Sequence, residues 1–160
     1  MIPTIVVTVK NRLEHSLKTF PFNVSQIGTD YNLLYVDYDS EDGFSERLRK
    51  IIKSHQDIFS VNLRKITLVT LNRSEKYDIR RAKNLGALFA CEESSIILIN
   101  DADTMLGMDY LTKWCNLTKK GKTFATNRHQ DTRGTFPARV SPEINYGNIV
   151  VCAQDFIDVS

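Results

Sequence analysis

Apolar residues along the chain fall into short runs, separated by polar and turn-forming stretches, and the period changes from run to run. Ile5 to Val9 is a continuous β-branched run, the pattern of a strand buried on both faces. Leu13, Leu17 and Phe20 then recur at helical spacing as far as Pro21, where the pattern predicts that the helix stops. A second apolar strand, Leu33 to Val36, leads into the turn-rich Asp39-Ser40-Glu41-Asp42-Gly43. Beyond that glycine, Phe44, Leu48, Ile51 and Ile52 mark one face of an amphipathic helix, with Arg and Lys on the other. Ile66 to Leu71 predicts a third strand.

Asp78 is placed to cap a helix that carries Ala82, Leu85, Phe89 and Ala90 on its apolar side. A fourth strand, Ile96 to Ile99, runs directly into Asn100-Asp101-Ala102-Asp103. Met108 to Asn116 reads as a helix, Thr123 to Thr126 as a short strand, and Ile149 to Cys152 as the last strand. Residues 127–145 have weak periodicity, contain Gly134, Pro137 and Pro142, and read as a long loop. Strand and helix alternate at spacings that suit βαβ units. The prediction is one α/β domain of Rossmann type over residues 1–160, its sheet mostly parallel, with helices on both faces.

Composition narrows the function only a little. A chain of 160 residues can bury a real core. A formal charge of +2 is too small to make nucleic acid or a membrane surface the main partner. Three widely spaced cysteines, an odd number with no C-x-x-C pair, suit reduced thiols and a cytoplasmic location. The start of the chain has no long apolar segment, and no stretch has membrane-spanning length. The N-x-S/T triplets at Asn23, Asn72 and Asn116 read as chance.

In an open α/β sheet, ligands sit outside the carboxyl ends of the strands, so the polar residues after each run carry the candidate chemistry. Lys10, Asn11 and Arg12 follow the first strand; Asp37, Tyr38 and Asp39 follow the second. Asn72 and Arg73 follow the third, and Asp101 and Asp103 the fourth. An acidic centre with basic flanks suits a metal-bound diphosphate. If strand geometry persists through Asp101-Ala102-Asp103, the two carboxylates point to one side and need a cation between them. Oxygen ligands of this kind select Mg2+ or Mn2+. The plainer reading is an acidic turn in water, but a turn that directly follows a fully apolar strand has less reason to be doubly acidic.

Arg80, Arg81 and Lys83 lie just inside the helix capped by Asp78. Cations there oppose the helix dipole, and a bound phosphate would reverse the sign. A solvated basic face is the alternative. His15 and His55 lie in predicted helices without a partner acid, and His129 lies in the long loop. No nucleophile elbow, phosphate-binding Gly-rich loop or zinc spacing is present.

At these residues the sequence resembles the family 2 glycosyltransferases of the GT-A fold. The resemblance runs through Thr8-Val9-Lys10-Asn11-Arg12, Val36 to Gly43, Arg81 to Gly86, the D-x-D element at Asp101-Ala102-Asp103, and Gly147-Asn148-Ile149-Val150. Each piece is short, but all five come in the family's order. The resemblance implies inverting transfer of a sugar, a hexose type, from a nucleotide-sugar, with a UDP-sugar as donor, to a glycan or other hydroxyl acceptor. It implies that Thr8 and the Asp37-Tyr38 turn hold the uridine, with Tyr38 available to stack. Asp101 would contact ribose or metal-bound water, and Asp103 would ligate the cation on the diphosphate. Lys10, Arg12, Arg80, Arg81 and Lys83 complete the expected donor site. Family members continue past the last strand with a segment that supplies the general base. This chain ends at Val159-Ser160, where that segment would begin, so an acceptor-side part is expected to be missing. Glu143 and Asp155 are the late acids that could act instead. Two other readings stay open: a nucleotidyltransferase of similar architecture, and a non-catalytic module that binds a nucleotide-sugar.

Overall fold

The opening β-branched run forms the centre of a sheet in the computed structural model, which describes residues 2–72, 77–118, 124–126 and 148–153. This strand, β1 (Ile2–Val9), is buried from residue 3 to residue 9, as its unbroken apolar pattern requires. It pairs in parallel with β2 (Tyr31–Asp37) on one side and β4 (Ser94–Asp101) on the other. β3 (Leu63–Thr70) runs parallel to β2 on its outer side and is the more exposed strand. β6 (Asn148–Cys152) lies antiparallel to β4, and β5 (Phe124–Thr126) antiparallel to β6, giving the order β3-β2-β1-β4-β6-β5. The expected strands are all present, several longer by one to three residues at an end.

Alternation along β1 divides the core in two. Ile5, Val7 and Val9 face α1 (Leu13–Val24) and α2 (Phe44–Ser54), where Phe20, Val24, Phe44 and Leu48 close over them together with Leu111 of α4 (Tyr110–Leu117). Val6, with Leu34, Val36, Ile97 and Ile99, faces α3 (Ile79–Cys91) on the opposite side. The crossovers β1-α1-β2 and β2-α2-β3 step one way along the sheet. The β3-α3-β4 crossover steps back past β1 on the other face, as right-handed connections demand. The chain therefore reverses direction between β1 and β4.

Two helices depart from their sequence expectation. α1 does not stop at Pro21 but continues to Val24, with Pro21 inside it. Its last turn is held by tertiary contacts: Val24 and Asn23 are fully buried, and Asn23 donates to the Tyr35 hydroxyl at 3.1 Å. Beyond it, Gln26 donates to the carbonyls of Phe22 and Gly107 and accepts from the Leu111 amide, fixing α1 to the start of α4. α3 is rotated from the expected face. Ala82, Lys83, Gly86, Ala87 and Ala90 are its buried residues, while Phe89 is exposed. Small side chains let the helix sit close to the sheet: a Cβ on Gly86 would fall 2.5 Å from Val6 Cγ1 and 3.2 Å from Val36 Cγ2.

Candidate functional site

The reversal between β1 and β4 opens a crevice at the carboxyl ends of these strands, the usual ligand position in such sheets. Thr8 and Asp101 are register partners there. Asp101 shares a sheet face with Ile97 and Ile99, and Thr8 shares one with Val6, so both side chains belong to the α3 side. Lys83, in the second turn of α3, comes down onto this point. Its ammonium stands 2.7 Å from Asp101 Oδ1, with only 11% of the Lys83 side chain and 25% of the Asp101 side chain exposed. Sequence reasoning placed both residues in the donor site but did not pair them, because nothing local links positions 83 and 101.

Tyr77, just before the Asp78 cap, was missed. It is half-buried and shares a hydrogen bond with Thr8, and its ring lies edge-on to that of Tyr38 with centroids 5.3 Å apart. Burial pushes the Tyr77 phenol above its ordinary pKa, and the nearby Asp101 carboxylate adds to the shift. An open depression of about 490 Å3 lies against Tyr77, Asp78, Ile79 and Arg80. An aromatic one residue before the helix cap was the available signal.

The D-x-D element does not continue the strand. β4 ends at Asp101, and the Thr104 amide donates to the Asp101 carbonyl at 3.1 Å, closing a turn. Ala102 is buried and Asp103 exposed, so the argument from strand alternation fails beyond Asp101. The turn is held from the α1 side instead. Thr19 donates to the Ala102 carbonyl at 2.8 Å, and Asn100 Nδ2 lies 3.3 Å from the Thr104 carbonyl and 3.4 Å from Asn23 Oδ1.

The ends of β1 and β2 are bound to each other. Lys10 donates to the Asp39 carbonyl, the Asn11 amide to Ser40 Oγ, and the Glu41 amide to Asn11 Oδ1. Asn11 and Asp39 take left-handed backbone, with φ of 50° and 56°, which these two residue types tolerate better than most. Asp42 accepts from the first amide of both helices: Leu13 of α1 at 2.8 Å and Phe44 of α2 at 3.1 Å. The helix-start requirement for an acceptor is thus met for α1 by a residue 29 positions away.

Two expectations need correction here. Asp37 is 1% exposed and its carboxylate accepts from the Ser40 amide and the Ser45 hydroxyl, so it is committed to its own turn. Tyr38 is also 1% exposed, covered by Tyr77, and presents no face on which a base could stack. Arg12, Arg80 and Arg81 are exposed near the crevice, with Arg80 reaching Asp78 at 3.4 Å. The Asp78 cap is confirmed, accepting from the Arg80 amide at 2.9 Å. Arg73, His129, Glu143 and Asp155 lie outside the described residues. Cys91, Cys115 and Cys152 are free thiols, and burial pushes Cys115 up to about 11, which keeps it protonated and unreactive.

Among the described residues no group of three or more His, Cys, Asp or Glu side chains could hold a metal ion. Asp103 offers one exposed carboxylate, and Asp101 already faces an ammonium. Such a pair fits Mg2+ or Mn2+ only where a diphosphate supplies further oxygens, the usual way these ions are held beside nucleotides. No helix among the described residues is long and apolar enough to cross a membrane.

No family model and no curated protein sequence matches the chain. Solved structures do. TarS of S. aureus in complex with UDP matches 99% of this chain and 49% of its own, at 12% identity and a TM-score of 0.67. The mannosyltransferase PcManGT from Pyrobaculum calidifontis, in complex with GDP-Man and Mn2+, matches 70% of this chain and 31% of its own, at 23% identity and a TM-score of 0.57. The glycosyltransferase GlyE of Streptococcus pneumoniae TIGR4 matches 98% of this chain and 35% of its own, at 12% identity and a TM-score of 0.54. The fold is therefore the GT-A-like α/β fold of nucleotide-sugar glycosyltransferases, and the chain spans half or less of the length of these structures.

Proposed function

We propose that this chain binds a nucleotide-sugar, with a UDP-sugar as its donor, and serves metal-dependent glycosyl transfer to a hydroxyl acceptor with inversion, as in family 2. The observation that carries the reading is the convergence of Thr8, Tyr77, Lys83 and Asp101 at the crevice where the strand order reverses. The fold supports it. So do the similar structures, TarS in complex with UDP and PcManGT in complex with GDP-Man and Mn2+.

We assign the roles by position. We place the nucleoside on the open surface beside Tyr77, with the phenol as an aromatic edge in place of the buried Tyr38. Arg80, which lines it, and the exposed Arg12 and Arg81 would attract the diphosphate, and the start of α3 adds its dipole. Asp103 and Asp101, on the turn that follows β4, are the carboxylates for Mn2+ or Mg2+, which would neutralise the leaving diphosphate. Lys10 braces the neighbouring turn through the Asp39 carbonyl, so we assign it support of the site rather than donor contact. The free thiols suit a reducing compartment such as the cytoplasm.

Calorimetric titration with UDP, GDP and ADP, each with and without Mn2+, tests the reading. UDP should bind best and only with the metal. Equal binding of the three nucleotides would remove the uridine assignment, and no binding by any would remove the donor site.

A further inference from the structure

We propose that the seam between α1 and the turn after β4 holds internal water, bound by the side-chain oxygen of Asn100 and the hydroxyls of Ser16 and Thr104. The inference goes beyond the donor site and does not depend on it.

The buried face of α1 has two halves. Phe20 and Val24 join the apolar core, whereas Ser16, Thr19 and Asn23, spaced i, i+3 and i+7, form a polar stripe no residue of which is more than 1% exposed. This stripe lies against the end of β4. Thr19 donates to the Ala102 carbonyl at 2.8 Å. One turn further along, Asn23 Oδ1 lies 3.4 Å from Asn100 Nδ2, and the same nitrogen lies 3.3 Å from the Thr104 carbonyl. Asn100 alternates with Asp101 along the strand, so its side chain shares the α1 side with Leu98.

Four buried side-chain polar atoms find no hydrogen-bond partner among the described residues, and three of them belong to this seam: Ser16 Oγ, Asn100 Oδ1 and Thr104 Oγ1. Turning the Asn100 amide over does not help, because its oxygen would then face the Thr104 carbonyl, another acceptor. Asn100 Oδ1 can only accept, while each hydroxyl can donate and accept, so the set matches a small molecule that does both. Left dry, each atom would weaken folding by about a factor of five or more. Water held by such partners removes that cost. Ala102 and Thr104 flank Asp103, so water in the seam also steadies, from the α1 side, the turn that carries this carboxylate.

The test turns on a sign. Thr104→Val keeps the branched shape and removes a hydroxyl that bonds nothing among the described residues. In a dry seam the change discards an unpaired buried group and raises stability. In a hydrated seam it strips the water of a partner and lowers the folding constant by about fivefold, read by urea unfolding of the full chain. Thr104→Ser should recover most of the loss. Ser16→Ala should show a smaller loss, because the better helix propensity of alanine pulls the other way, and it carries the same sign should Thr104→Val fail to fold. Wild-type stability should be the same in sodium, potassium and tetramethylammonium chloride. A high-resolution crystal structure should show ordered density within about 3.2 Å of Asn100 Oδ1 and Thr104 Oγ1. Thr104→Val at or above wild-type stability, or a seam without density, overturns the proposal. Stability that follows the identity of the monovalent cation overturns it in favour of a bound ion.

Discussion

The hydroxyl of Thr19, in the first helix, donates a 2.8 Å hydrogen bond to the carbonyl of Ala102, the residue between the two candidate metal aspartates. Both residues are buried, so a helix on one face of the sheet fixes the backbone of a turn whose neighbouring Asp101 side chain works on the other. Thr19→Val keeps the shape and deletes the donor, leaving the Ala102 carbonyl without it. We expect a loss of about 1 to 3 kcal/mol in urea unfolding, with Thr19→Ser recovering most of it. Equal stability of Val and Thr at this position would remove the clamp from the account.

Asp42 joins two helix starts through one carboxylate. Asp42→Ala should cost about 1 to 2 kcal/mol, since loss of a single cap commonly costs about 1 kcal/mol and two amides are affected here. Asp42→Asn should retain part of this. The measurement is the denaturant midpoint at neutral pH. A change within error would mean that water replaces the carboxylate at both helices.

Much of this fold was legible because local pattern and tertiary environment agree. The β-branched run of β1 lies at the sheet centre, Phe44 and Leu48 face the core, and Asp78 caps α3. The misses have a common cause in contacts between distant residues. Pro21 ends a helix by its own chemistry, yet the burial of Asn23 and Val24 carries α1 through it. Apolar size picked Leu85 and Phe89 for the core, whereas close approach of α3 to Val6 selected Gly86 and Ala87. At the site, strand-end position found Asp101, while Thr8 came only from the family resemblance. The Lys83 pairing, the Tyr77 bond to Thr8 and the burial of Tyr38 depend on the β3-α3-β4 crossover, which no local spacing encodes.

Gly86→Ala tests the close approach directly. The added methyl would meet Val6 Cγ1 at 2.5 Å, so the helix or the strand must shift. We expect about 1 to 3 kcal/mol of destabilisation and weaker nucleotide binding, because Lys83 moves with α3. Unchanged stability would show that the α3–sheet interface yields without cost.

Alkaline pH should destabilise the chain through Tyr31 and Tyr35. Burial raises both phenols well above the ordinary 10.0, with the Asn23 hydrogen bond lowering Tyr35 only in part. Raised folded-state values mean that the stabilisation is complete below the unfolded value, near 10. It is lost as pH rises from there towards the folded values, because the unfolded chain releases its protons first. Unfolding free energy measured upward from pH 9 should fall beyond about pH 10. Tyr35→Phe should flatten that fall. An identical slope in the variant would exclude Tyr35 as a cause.

On the proposed function, the turn after β4 holds a metal for a nucleotide diphosphate, with Asp103 as its exposed carboxylate. Asp103→Asn removes the charge at an exposed position and should leave the fold intact. Calorimetric titration of UDP in the presence of Mn2+ should show clear binding by wild type, loss of that binding on chelation, and no metal-dependent binding by the folded variant. UDP affinity that is the same in variant and wild type, or that ignores chelation, would contradict the account.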